Sequence, residues 1–216
     1  TKRKFHQNLR KWYLKNKRDF PWRHGKDSYK ILISEVMLQK TNASKVIPAY
    51  IEFIKKYPTI RVLQNAKISD VKKLLKPLGL IYRAERLISI AKILSNYNQG
   101  KVPYQRDQLL KLKGLGKYAA SAVMCFAFNK RVPIVDNSIV RLFERFFGYV
   151  SLKKRPRDDA CLWNLAGTLL PERNTKDYNY ALLDFCALQC TAKKPKHKTC
   201  PLKNICKYYL ENVIKS

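Results

Sequence analysis

The sequence predicts an all-α fold. Three observations point there: apolar residues recur at helical spacing, glycine is scarce at seven residues, and no stretch alternates long enough to make a strand. Tyr29, Leu32, Ile33 and Val36 form one stripe, and Leu80, Ala84, Leu87, Ala91 and Leu94 form a second. Ile139, Leu142, Phe143 and Phe146 form a third. Prolines at 21, 48, 58, 77, 103, 133, 156, 171 and 201 cut the chain into pieces of helix length. The expectation is about ten short helices and no internal repeat.

Residues 28–132 read as one central helical lobe. Residues 1–27 with 133–216 form a second lobe, joined to the first by two crossings, and a cleft between the two is a natural place for a site.

Charge narrows the partner. There are 45 Lys and Arg against 15 Asp and Glu, a net charge of +30, spread from Lys2 to Lys215. The folded body itself is therefore basic, and a polyanion would relieve its self-repulsion. The longest apolar run, Ala122 to Phe128, is too short to span a membrane, and no amphipathic or lipidated anchor is seen. The basic N-terminus lacks a signal peptide's apolar stretch, so an intracellular, cytoplasmic protein associated with the nucleoid is expected. Six cysteines in that compartment are thiols or metal ligands rather than disulfides.

Residues 105–128 hold the most informative turn. A short helix ends near Lys111, Leu112-Lys113-Gly114-Leu115-Gly116 follows, and an apolar helix starts at Lys117. Two glycines one residue apart permit a tight turn with positive φ and close approach of another backbone. The amides at the following helix start can hold a phosphate. An ordinary helix–helix turn with a glycine cap explains the motif about as well, and the net charge favours phosphate.

Twenty residues past the hairpin comes Pro133-Ile134-Val135-Asp136, then a helix carrying Arg141 and Arg145. Upstream lie Phe20-Pro21-Trp22-Arg23 and the segment from Ser34 through Glu35 to Gln39-Lys40-Thr41. Downstream lies the segment from Asp177 to Phe185. In this order the segments resemble the helix-hairpin-helix, Gly/Pro-Asp (HhH-GPD) superfamily of DNA glycosylases. They come closest to the branch that includes prokaryotic G/T-mismatch thymine-DNA glycosylases and adenine glycosylases. The likeness covers nearly the whole chain.

The resemblance implies two catalytic carboxylates. Asp136 reads on its own as the cap of a helix from Asn137 to Phe147. The family role is to stabilise the sugar cation formed as the glycosidic bond breaks, and the same residue can do both. Glu35 sits on a mostly apolar helix, as either a rim residue or a partly buried acid. The resemblance makes it the proton donor to the departing base. Tyr118 stands where strand-nicking relatives carry a Schiff-base lysine, which implies a monofunctional hydrolase; by itself it is a half-buried aromatic. Lys117 is one residue off and points elsewhere.

The same resemblance gives a DNA-contacting set of Gln39, Lys40, Leu80, Gly114, Gly116 and Lys117. Gln39 and Leu80 would enter the gap left by a flipped base and meet its orphaned partner. Plain alternatives are helix caps and, for Leu80, core packing.

The family's four-iron cluster is bound by cysteines with six, two and five residues between them. That spacing falls on Cys190, His197, Cys200 and Cys206, with histidine in second place. The loop 190–206 is thus expected to bind a [4Fe-4S] cluster with one imidazole ligand. A Cys3His zinc site and three bare thiols are the rivals. Lys193, Lys194, Lys196 and Lys198 would present charge beside it. Cys125, Cys161 and Cys186 read as core residues.

Three functions are compatible: removal of thymine or uracil opposite guanine, removal of adenine opposite guanine or oxidised guanine, and non-catalytic DNA binding. Leucine rather than tyrosine at position 80, and the short stretch after Cys206, favour thymine. The pair Glu35 and Asp136 argues against mere binding. The expected partner is double-stranded DNA with a mismatch, bound by a monomer.

Overall fold

Side-chain caps and apolar stripes together set where the helices lie. The structure, a computed structural model, describes residues 2–79, 81–97 and 99–213. The helices run, in order, α1 (Lys2–Asn16), α2 (Ser28–Leu38), α3 (Ala43–Lys56), α4 (Ile60–Gln64), α5 (Ile68–Leu75), α6 (Arg83–Tyr97), α7 (Arg106–Leu110), α8 (Lys117–Phe128), α9 (Asn137–Phe147), α10 (Ala160–Thr168), α11 (Thr175–Leu188) and α12 (Lys207–Asn212). Short 3-10 turns fill several of the connections, and no strand occurs among the described residues. The all-α expectation holds.

Among the described residues, five helix starts carry a side-chain cap. Asp27 accepts from the amides of Tyr29 and Lys30, Asn42 from Ser44, and Thr59 from Val62. Asp136 accepts from Ser138 and Ile139, and Asp159 from Cys161. Each such cap contributes about 1 kcal/mol by pairing an amide the helix itself leaves open.

The chain divides into two compact units. One is Asp19–Lys130; the other holds the chain on either side of it. In the unit Asp19–Lys130, α2 buries Tyr29, Leu32, Ile33 and Val36, and α6 buries Ala84, Leu87, Ala91 and Leu94. Leu80, the first member of the second stripe, lies outside the described residues. α8 is buried on most of its surface, from Ala119 to Ala127, and packs on α2.

Pro48 departs from expectation. It does not end a helix but sits inside α3. Its ring removes one backbone hydrogen bond. The helix persists because Val46, Ala49, Tyr50 and Phe53, at helical spacing around it, are all buried.

In the other unit, α9 buries Ile139, Leu142, Phe143 and Phe146. Phe5 of α1, wholly buried, meets Phe146 with ring centroids 4.7 Å apart. Burying such a ring contributes roughly 1.5–3 kcal/mol. Arg18 and Asp184 tie α1 to α11: the Asp184 carboxylate is fully buried and accepts from the Arg18 amide at 2.9 Å and its Nε at 2.7 Å. A buried charge held this way is matched on both oxygens.

Cysteine burial corrects one expectation. Cys125 and Cys186 are core residues, but Cys161 is exposed. It lies in the first turn of α10, whose buried face is Leu162, Trp163 and Ala166. The apolar run in the sequence hid that Cys161 falls on the opposite side.

Candidate active site

Asp136 is the N-cap of α9. Its Oδ1 accepts from the amides of Ser138 at 3.0 Å and Ile139 at 2.8 Å. The Ser138 hydroxyl lies 2.7 Å from Oδ1 and 2.9 Å from Oδ2. One oxygen is therefore committed to the helix, while the other meets only that hydroxyl among its described contacts. The residue is half-buried. A carboxylate fixed in this way keeps one face for a neighbouring positive charge without having to reorganise. Cys186, buried in the same unit with its Sγ 3.3 Å from the Ser138 carbonyl, has its thiol pushed well up by burial and further by the Asp136 charge.

Glu35 is only 5% exposed, which settles the rim alternative against it. Its neighbours on α2, Ile31 to Met37, are all buried. Tyr118, in the first turn of α8, is half-buried, whereas Lys117 is exposed.

The hairpin's two glycines differ. Gly114 has φ +86°, a left-handed conformation that only glycine takes easily, whereas Gly116 is extended at φ −87°, ψ 179°. A Cβ on Gly116 would meet nothing within 4 Å. The expectation of positive φ thus holds at Gly114 alone, and nothing in the folded chain itself requires glycine at 116. Leu112 and Leu115 anchor the turn in the core.

Gln39 is the C-cap of α2, and Lys40 follows with φ +54°. The Gln39 side chain is held at both ends: Nε2 donates to the Gly114 carbonyl at 2.9 Å, and Oε1 accepts from Arg86 Nη1 at 2.6 Å. Arg83, wholly buried, donates to the carbonyls of Met37 at 2.7 Å and of Gln39, and to Thr41 Oγ1 at 2.8 Å. Sequence reading missed both arginines. The available signal was Arg83 itself, one turn before Leu87 on a helix face that is otherwise apolar.

In the C-terminal loop, Cys190, His197, Cys200 and Cys206 line one small recess with Arg145 and Tyr208. Burial pushes the Cys200 thiol up to about 11 and raises Cys206. His197 packs against the rings of Tyr208 and Tyr209, at 5.9 and 5.5 Å. Arg141 reaches the carbonyls of Cys186 and Cys190, and Arg145 those of Thr191 and Ala192, so α9 straps down the start of the loop. Three thiols and an imidazole around one recess suit a soft metal in donor chemistry. As placed, however, no three Cys, His, Asp or Glu side chains among the described residues stand close enough together to hold an ion.

Residues 33–163 match the family described as HhH-GPD superfamily base excision DNA repair protein, and the chain belongs to it. It is 38% identical over 211 residues to the thymine/uracil-DNA glycosylase of Pyrobaculum aerophilum, covering 95% of this chain and 92% of that one. It is 34% identical over 226 residues to an adenine DNA glycosylase of Buchnera aphidicola, covering all of this chain and 65% of that one. The solved structure of a thermostable thymine-DNA glycosylase superposes with a TM-score of 0.91 at 38% identity, over 97% of this chain and 96% of that chain.

Proposed function

We propose that this chain is a DNA repair glycosylase that flips out thymine or uracil opposite guanine and hydrolyses its glycosidic bond, leaving the strand intact. One observation carries the choice of base. The thymine/uracil enzyme of Pyrobaculum aerophilum matches at 38% identity, whereas the adenine enzyme matches at 34%.

In this reading, Asp136 offers its less committed oxygen to the positive charge that builds on the deoxyribose as the bond breaks. Glu35 delivers a proton to the departing base, directly or through one water. Tyr118 has no amine, so no Schiff base forms and water is the acceptor of the sugar. Gly114, Gly116, Lys117 and Lys40 hold the backbone phosphates, and Gln39 and Leu80 enter the space of the flipped base. The +30 charge supplies affinity without sequence preference.

Cys190, His197, Cys200 and Cys206 are the residues that would hold a [4Fe-4S] cluster or, in its place, zinc. The group would act as a cross-link that fixes the lysine-rich loop against the DNA backbone. A single duplex panel tests the reading: G·T, G·U, G·A and oxidised-G·A pairs, incubated, then split with and without alkali. The expected result is G·T and G·U cleavage that needs alkali, with no borohydride-trapped complex. Preferred cleavage at adenine, or trapping by the unmodified protein, overturns it.

A further inference from the structure

Gln39 is tied into the protein in one orientation only. An amide side chain has two N–H donors and two carbonyl lone pairs. Here the Gly114 carbonyl takes one donor and Arg86 takes one lone pair. A reversed amide would aim its oxygen at the Gly114 carbonyl and its NH2 at a guanidinium, so both contacts would turn repulsive. One donor and one acceptor then remain, in a fixed order. The constraint comes from Arg86. Its guanidinium lies over the Tyr82 ring at 5.1 Å and passes so close to the hairpin that a Cβ on Gly114 would overlap it. The loop carrying Gln39 is independently fixed by Arg83, which grips the carbonyls on either side of the Leu38–Gln39 peptide and the Thr41 hydroxyl.

We propose that Arg86 is a positioning residue that sets opposite-base discrimination by locking the Gln39 amide in one orientation. The inference rests on the reading that Gln39 meets the orphaned base. Guanine presents on its pairing edge an acceptor, O6, beside a donor, N1–H. Adenine presents the reverse order, a donor at N6 beside an acceptor at N1. A freely turning amide accepts either base by flipping. A locked one matches one order and opposes the other. The carbonyl of Gly114 serves as the second half of the lock, which makes the hairpin part of the base reader as well as a phosphate holder.

The test is binding rather than excision. Duplexes carrying a tetrahydrofuran abasic analogue opposite G or opposite A are titrated against the unmodified protein, Arg86→Ala, Arg86→Lys, Gln39→Ala and the double variant Arg86→Ala with Gln39→Ala. The unmodified protein should prefer one partner by about tenfold or more, the size of one good two-point base contact. Arg86→Ala should compress that ratio to below about threefold. Arg86→Lys, which still donates to Oε1, should restore most of the ratio, and the double variant should be no worse than Gln39→Ala alone. The Gln39 side-chain amide signals in a nitrogen–proton correlation spectrum should shift in Arg86→Ala, while the backbone pattern away from the loop stays put. An unchanged ratio in Arg86→Ala, equal weakening toward both partners, or no preference in the unmodified protein overturns the proposal. Failure of the glycosylase reading would look different: the binding ratio would follow Arg86 while no base is released from any mismatch.

Discussion

Asp136 and Glu35 hold their carboxylates by opposite means. Asp136 takes its environment from its own helix: two amides and a hydroxyl, all within three residues, fix it. Glu35 takes its environment from tertiary burial, on a stretch of α2 from Ile31 to Met37 that is buried throughout. Under the roles proposed for the two residues, the difference teaches that an anion can be kept ready by local hydrogen bonds, whereas a group that is to carry and give up a proton is better placed where water is scarce.

That contrast can be broken at either end. Asp136→Asn should have the largest effect. Asparagine caps helices about as well as aspartate, so only the charge is lost. Thermal stability should stay unchanged while single-turnover excision falls by about a hundredfold or more. Excision near the original rate would reduce Asp136 to a cap. Glu35→Gln should follow, with a rate loss of roughly tenfold to a hundredfold and stability equal or higher, since a neutral amide replaces a buried acid. Equal losses in rate and in melting temperature would mark Glu35 as structural.

The two hairpin glycines sharpen the same comparison between what the fold needs and what the ligand needs. Gly114→Ala should destabilise the protein by about 1–3 kcal/mol, read by thermal melting, because of its left-handed backbone. Gly116→Ala should leave stability alone and weaken duplex binding by about tenfold, because open space in the free protein is where a phosphate would approach. If Gly116→Ala binds DNA normally, the hairpin is a turn and nothing more.

The smallest effect concerns the C-terminal thiols. Burial raises the folded values of Cys200 and Cys206, so the neutral form favours folding: that stability is complete below the ordinary thiol value of 9.0 and is lost as pH climbs toward about 11 for Cys200. The metal-free protein should therefore melt at lower temperature across that window. Metal retention should show the opposite trend, tightening as pH rises, since each thiol must release its proton to bind. A flat melting profile up to pH 11 would mean the thiols are not buried as described.

The helical architecture was legible because its signals are local. The Asp136 cap, the hairpin from Leu112 to Gly116 and the stripes on α2 and α9 each fit within a dozen residues. Pro48 and Cys161 were misread because burial on one helix face outweighed a residue's usual habit. The partners of Arg83 and Arg86 were not legible, because Met37 to Thr41 lie more than forty positions away in the chain, even though Arg83 stands out on its apolar helix face. Spacing made Cys190, His197, Cys200 and Cys206 stand out, but spacing does not say whether four side chains converge on a point.

Arg83 has a consequence for how the molecule opens. Its guanidinium is stripped of water, and its counterweight is a row of oxygens at the tail of α2 and in the loop after it. Carbonyls at a helix C-terminus carry the negative end of the helix dipole, so they can balance a cation without a carboxylate. Peeling away either segment would strand a buried charge, at a cost of roughly 3–5 kcal/mol. The last turn of α2, the loop through Thr41 and the first turn of α6 should therefore unfold as one cooperative block. In native-state hydrogen exchange, the amides of Thr41 and Arg86, bonded to Leu38 and Tyr82, would share a single opening free energy rather than fray separately as loop and helix end.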